Sequence, residues 1–355
     1  MKNIDLNKIK EEYWVKNWAG HWSVLTCHYL GKQYSNRIRK FLGVNLKHSI
    51  IVIEHGFSTC YFSKKELDRL GKILASEVIG DKRLIPLWVK SIKHATREIN
   101  KIIIELDNKL LSLDEYNKFI QKFISFGAAN FAVKKVVDYV PEKSLKKYLP
   151  ILSGARLYSE SVYADTEKFM EKLGKLISKK ENIRPELILC LSDIEFESYL
   201  MTGRVKVKKE VLEKRYEFST LFFDNGKDTA IVGTKARVIE KSLQKLADKQ
   251  IKGTPVYPGS VRGVARIIFD PFKKQTFNKG DILVASMTRP EYLSYIKLSS
   301  AFITDAGGML CHAAITAREI KKPCIVGLES ATKIIKSGDL IEIDADNGIV
   351  RILNK

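Results

Sequence analysis

The sequence predicts an α+β chain of two domains, a mostly helical one over residues 1–250 and a compact α/β one over 251–355. Three observations lead there. In the first stretch apolar residues recur at three- and four-residue spacing with charges between them. Gln250-Ile251-Lys252-Gly253-Thr254-Pro255 then breaks the pattern. Beyond it the runs become short and β-rich. With 355 residues, the chain is long enough for two cores.

In chain order, helical periodicity covers Lys65 to Val78, Leu87 to Leu106, Leu113 to Ile124, Tyr158 to Ser178 and Val238 to Lys249. Ser63-Lys64-Lys65-Glu66 and Ser112-Leu113-Asp114-Glu115 have the spacing of capping boxes, in which hydroxyl and carboxylate each satisfy an orphan amide. Ser49 to Glu54 and Thr59 to Phe62 flank the turn-like His55-Gly56-Phe57-Ser58 and predict a strand pair. Phe218 to Phe223 is a further extended piece running into the turn Asp224-Asn225-Gly226-Lys227. Trp14, Trp18 and Trp22 recur every four residues, with Tyr13 and His21 alongside. A helical core stripe is the first reading, an aromatic-lined acceptor pocket the second. After the break, Val264 to Phe269, Asp281 to Ala285, Ala301 to Thr304, Cys324 to Val326, Leu340 to Ile343 and Gly348 to Leu353 predict strands, with helices at 291–298 and 312–320.

Composition excludes several classes. No apolar run is long enough to span a bilayer, and Met1 to Asp5 has no signal-peptide character. Cys27, Cys60, Cys190, Cys311 and Cys324 are odd in number and lack CxxC spacing, which predicts reduced thiols in a cytoplasmic protein rather than disulfides or a zinc site. The net charge of +20 divides as +15 over 1–250 and +5 over 251–355. The lysines are spread among acidic residues, with no basic arm or arginine stripe. A solvated surface, or attraction of a polyanion such as ATP or of an acidic subunit, ranks ahead of nucleic acid. His28, His48, His55 and His94 have no metal-ligand spacing. Tyr158, Glu160 and Tyr163, read as one helix, offer a general base at most.

The segment Thr304-Asp305-Ala306-Gly307-Gly308-Met309-Leu310-Cys311-His312-Ala313-Ala314-Ile315-Thr316-Ala317-Arg318-Glu319 is more specific. A glycine pair ends an extended run and leaves His312 in the first turn of a helix. First-turn amides lack intrahelical partners and the macrodipole is positive there, so the place accepts a phosphoryl group. The same field disfavours imidazolium, which predicts a neutral, nucleophilic His312 near pH 7. Gly307 and Gly308 let the backbone approach a phosphate. Cys311 adjoins the nucleophile and could lend a weak hydrogen bond. Arg289, in the loop before Pro290, has the freedom to reach the phosphate. Arg318 lies about 240° around the helix from His312 and is expected in a structural salt bridge. Thr304 and Asp305 suit hydrogen bonding in the turn.

Gly307 to Glu319, followed by Lys322-Pro323-Cys324-Ile325-Val326-Gly327, resembles the phosphohistidine signature of the PEP-utilising enzymes. Pro258-Gly259-Ser260-Val261-Arg262-Gly263 is similar to that domain's opening turn. Gly280 to Ala285 with Thr288-Arg289-Pro290 is similar to its central strand and loop, and Gly338 to Asp344 with Asn347-Gly348 to its closing hairpin. The resemblance covers about 252–355. It implies a three-layer β/β/α swivelling domain whose histidine, here His312, carries a phosphoryl group between distant sites. It places Leu310 where the dikinases carry a threonine phosphorylated by a regulatory kinase, which implies that this control is absent. Thr316 replaces a usual aliphatic residue, and Cys311 stands where many relatives have serine.

Enzymes of that family that run the complete reaction add an ATP-grasp domain and, in the synthases and dikinases, a PEP/pyruvate barrel. Residues 1–250 contain no glycine-rich phosphate loop, no acidic metal pair and no eightfold strand–helix rhythm. The resemblance therefore implies a phosphotransferase subunit, incomplete alone, with no permanently bound cofactor. ATP and Mg would bind a partner ATP-grasp subunit or domain in trans, which phosphorylates His312 from the ATP β-phosphate. A small acceptor would bind the helical domain, and a hinge would lie near 250–257 at Gly253. The alternative is a non-catalytic phosphohistidine carrier or regulatory protein whose helical domain binds another protein.

Overall fold

The computed structural model describes residues 9, 11–243, 251–273 and 275–353. Contacts divide the chain into two compact units, one of Met1–Trp14 with Gly20–Gln244 and one of Val15–Ala19 with Lys245–Lys355.

The first unit sets helices around a five-stranded sheet. Its elements are the ends of β1 (Trp14–His21), a strand whose residues 15–19 group with the second unit, and then α1 (Val24–Lys32), a π-helical turn (Gln33–Arg37), α2 (Arg39–Leu42), β2 (His48–Glu54), β3 (Phe57–Ser63), α3 (Lys64–Gly80), α4 (Leu84–Glu105), α5 (Leu113–Val136), α6 (Glu142–Tyr158), α7 (Val162–Glu181), α8 (Pro185–Ile188), α9 (Asp193–Thr202), α10 (Lys209–Glu217), β4 (Ser219–Asp224), β5 (Lys227–Val232) and α11 (Thr234–Ser242). The sheet order is β1-β3-β2-β4-β5. Both hairpins turn on two left-handed residues, His55 and Gly56, then Asn225 and Gly226, the pair a tight two-residue connection requires. In central β2, Ser49 to Ile53 are all buried.

The expected amphipathic helices form, and their ends are instructive. The Ser112 box closes in both directions. The Ser63 hydroxyl accepts from the Glu66 amide, but the Glu66 carboxylate turns to the Lys47 and His48 amides instead of completing a box. The helix expected to end at Ile124 continues to Val136. Gly127 does not break it: a side chain there would strike the Gln33 amide at 2.2 Å, so the glycine serves close packing. The segment expected as one helix from Tyr158 is two, with Glu160 in the turn between α6 and α7. Helix α6, with Pro150 inside it, is additional to the expected helices. The tryptophan spacing also reads differently. Four is a multiple of two as well as near the helical period, and Trp14 and Trp18 lie on one strand, β1. The end of the expected helix at Val238 to Lys249 lies outside the described residues.

The second unit comprises β6 (Ile251–Lys252), β7 (Thr254–Tyr257), β8 (Ser260–Ile267), β9 (Ile282–Ala285), a 3₁₀ turn (Pro290–Tyr292), α12 (Leu293–Leu298), β10 (Ala301–Thr304), α13 (His312–Ile320), β11 (Cys324–Val326), α14 (Ala331–Ile334), β12 (Leu340–Asp344) and β13 (Ile349–Ile352). Its strands run in the order β6-β13-β12-β8-β9-β10-β11-β7. β8, β9, β10 and β11 are successively parallel, with α12 and α13 as the crossovers after β9 and β10. The outer strands pair antiparallel. Alternation sorts the parallel strands' side chains. Ile282, Val284, Ala301 and Ile303 pack with Ile341, Ile343 and Val350. Leu283, Ala285 and Phe302 pack with Ile296 of α12 and Ala313, Ala314 and Ala317 of α13.

Gly253 is not where a hinge would be. It lies between β6 and β7, its amide donates to the Gly348 carbonyl, and a Cβ there would come within 2.6 Å of the Val326 carbonyl oxygen. It is a packing glycine of the sheet. Residue 250 lies outside the described residues. Among the described residues no helix is long and apolar enough to cross a membrane, and all five cysteines are free and buried.

Candidate active site

Three loops leave the carboxyl ends of the adjacent parallel strands β9, β10 and β11, where open α/β sheets place their ligands. Hydrogen bonds between them carry the strand pairing onward. Asp305 N donates to the Ala285 carbonyl and Ala306 N to that of Ser286, while Leu328 N and Glu329 N donate to Thr304 and Asp305. The loops are thus held as an extension of the sheet.

His312 is the first residue of α13 and half-buried. Its Nδ1 lies 3.1 Å from Thr288 Oγ1 in the loop after β9, and Thr288 is itself buried. The hydroxyl thus lies on the Nδ1 side of the ring. Cys311 caps the helix: its Sγ accepts from Ala314 N at 3.4 Å. It is therefore a cap, with the thiol doing what serine does in ordinary N-caps.

Gly307 has φ +138°, and a side chain there would meet Cys311 Sγ at 2.8 Å. The glycine thus provides both the turn and the room for the capping thiol. Gly308 supplies the carbonyl that Cys311 N donates to, at 3.0 Å. Gly327, also left-handed, lets the loop after β11 approach the Gly307 carbonyl.

Among the described residues Arg318 has no carboxylate partner of the expected kind. Its Nη2 donates to the Met309 carbonyl at 2.7 Å and ties the far end of α13 to the loop that precedes it. Arg289 is half-buried one residue after Thr288, in the same loop as His312's hydroxyl partner. Thr304 Oγ1 donates to the Ala306 carbonyl, and both Asp305 oxygens accept from Thr332, so these two residues hold the turn.

Thr288 is the residue that sequence reasoning did not single out. Its loop was noticed, but nothing local marks which side chain in it would reach the histidine 24 positions on.

In the first unit, Trp14 packs in a cluster with Ile50, Val52 and Phe218, while His21 and Trp22 line a cavity. Tyr163 is half-buried and accepts from Asn130 at 3.1 Å, and Glu160 pairs with Arg156, so Tyr158, Glu160 and Tyr163 form no common site. His28, unremarkable by spacing, meets Asp193 and Asp228. Lys32 Nζ lies 2.7 Å from Asp193 and 3.1 Å from Asp228, supplying the positive charge this cluster calls for. Burial alone would raise the Asp228 carboxyl; the His28 hydrogen bond and the His28 and Lys32 charges outweigh it and hold it at about 2.

Residues 277–348 match the family model described as the PEP-utilising enzyme mobile domain. A probable phosphoenolpyruvate synthase of Staphylothermus marinus is 42% identical over 120 residues, 33% of this chain and 14% of its own length. One of Archaeoglobus fulgidus is 32% identical over 201 residues, 54% of this chain and 26% of its own length. An uncharacterized phosphotransferase of Bacillus subtilis is 29% identical over 198 residues, 53% of this chain and 24% of its own length. The last two matches cover more of this chain than 251–355 can supply, so they reach into the first unit. In each case the match spans about a quarter of the relative's length or less.

Proposed function

Because the chain belongs to the PEP-utilising enzyme family through its mobile domain, we propose that it is a phosphotransferase subunit in which His312 carries the phosphoryl group. The observation that supports this most directly is the Thr288 hydroxyl 3.1 Å from His312 Nδ1. In this reading Nδ1–H donates to Thr288 Oγ1, which fixes the tautomer with the lone pair on Nε2. Nε2 attacks the β-phosphorus in line, the N–P bond forms and the P–O bond to the departing AMP breaks with its electron pair; water then cleaves the β–γ bond, so that the γ-phosphate leaves as inorganic phosphate and one phosphoryl group stays on Nε2. The imidazole ring gains positive charge, which Thr288 Oγ1 stabilises by accepting from Nδ1–H. The protein contributes positioning and electrostatics, the main levers in phosphoryl transfer.

The N-terminal amides of α13 would receive the phosphoryl oxygens, with Arg289 as a further phosphate contact. A three-layer swivelling domain is the arrangement that suits delivery between sites. The phosphate comes from the ATP β-position, through a separate ATP-grasp subunit or domain that binds ATP and Mg. It then passes to a small acceptor at the helical domain.

Tagged wild-type protein and His312→Ala, incubated in host extract with β-labelled ATP, test this. An acid-labile, alkali-stable label on the wild type alone is expected, and pull-down would identify the phosphorylating chain. Label from γ-labelled ATP or PEP, but not from the β-position, would refute the donor. Absence of label from all three would refute the carrier.

A further inference from the structure

Within the first unit a cavity of about 340 Å³ opens beside the N-terminus of α1. That volume is in the range of small-molecule sites. The charges on its wall are unusual for this chain. Glu167, Glu171 and Glu186 face it against Lys175 alone, in a protein of net charge +20. Trp22 and Tyr216 supply aromatic surface between them.

Glu167 is the decisive group. It sits on α7, is buried, and accepts from Ser23 N at 2.8 Å through Oε1. A carboxylate that only capped α1 would need no more than that. Its Oε2 is buried without a hydrogen-bond partner, a state that costs free energy unless something supplies a donor. Burial raises the Glu167 carboxyl, and the neighbouring Thr26 and Ser23 hydroxyls and the Ser23 amide work against that rise.

We propose that this cavity is the acceptor pocket and takes a hydroxylated organic amine, its ammonium group on Glu167 and its body against Trp22 and Tyr216. A polyanion such as ATP is refused by three carboxylates; a cation is drawn in, and an aromatic wall favours it further. The acceptor role rests on the phosphotransferase reading above, whereas the binding does not. In the transfer a P–O bond forms at the amine's hydroxyl and the P–N bond at His312 breaks. The hydroxyl proton leaves to solvent, and Nε2 recovers the electron pair.

Titration calorimetry on the full-length, unphosphorylated protein tests the site with tyramine, ethanolamine and choline as probes and 4-hydroxyphenylacetate as the anionic comparator. At least one amine is expected to bind at one site per chain, quenching tryptophan fluorescence, and the anion is not. Glu167→Gln keeps the acceptor for Ser23 N and removes the charge; it should weaken binding by about tenfold or more. Glu171→Gln, at an exposed position where folding is not at risk, should weaken it about two- to fivefold. Failure of all three amines to bind, equal binding of the anion, or unchanged affinity in both variants would overturn the pocket. Amine binding with no label ever reaching His312 would overturn the acceptor role.

Discussion

Thr288, in the loop after β9, and His312, the first residue of the helix after β10, meet through the hydroxyl of one and Nδ1 of the other at 3.1 Å. The contact joins two crossovers, so the orientation of the imidazole depends on the register of β9 against β10. A side chain placed this way is set by the sheet and not by its own helix alone.

Thr288→Val removes the hydroxyl and keeps the side-chain shape. Loss of one such bond amounts to about 1 kcal/mol, which should slow labelling of His312 by up to about tenfold. Thr288→Ser should restore most of the rate. Rapid-quench labelling measures this, with thermal melts to show that the fold is intact. A valine variant labelled at the wild-type rate would remove Thr288 from the positioning role.

Cys311 caps α13 through a sulfur 3.4 Å from the Ala314 amide, a weak acceptor. Cys311→Ser should therefore keep labelling and match or exceed wild-type stability. Cys311→Val should lose about 1 kcal/mol. Urea denaturation of the three proteins checks the order. Were the serine variant folded but unlabelled, the thiol would have a chemical role beyond the cap.

Much of this was legible in the sequence. The six strand runs after residue 260 and the helix at His312 follow from alternation and from the glycine pair. Other features were not, for identifiable reasons. β6 and β7 were missed because Ile251-Lys252 and Thr254 to Tyr257 are short edge pieces on either side of Gly253, the second with Pro255 inside it. Gly253 was read as a hinge because a sequence does not distinguish a glycine needed for motion from one needed for close packing. Arg318 was assigned a carboxylate by habit of charge, whereas the fold brings the Met309 carbonyl to its Nη2 instead. The tryptophans of β1 share a spacing that both helix and strand periods accept. The Thr288 contact depends on strand order, which no local pattern encodes.

Gly307→Ala should be costly for two separable reasons. Its φ of +138° is closed to side-chain-bearing residues, and its Cβ would lie 2.8 Å from Cys311 Sγ. Gly338, at φ +104° with nothing within 4 Å, carries only the first. Backbone strain of this kind costs about 1–3 kcal/mol. Gly307→Ala should exceed Gly338→Ala in lost stability, and only the former should reduce His312 labelling. Chemical denaturation and labelling of both variants provide the comparison; equal losses would mean that the Cys311 contact yields without cost.

The Asp228 carboxyl, held at about 2 against its ordinary 3.8, makes stability depend on acid in a defined window. The native state holds the charged form next to His28 and Lys32, so fewer protons are bound in the folded chain than in the unfolded one below pH 4. The stabilisation is therefore fully present above about pH 4 and is lost as pH falls through about 2. It amounts to about 2 kcal/mol or less. Asp228→Asn should be the less stable protein at pH 7, with the gap to wild type narrowing between pH 4 and pH 2. Urea midpoints of the two proteins across that range measure it. Parallel pH profiles would show that Lys32 and His28 are served by Asp193 alone.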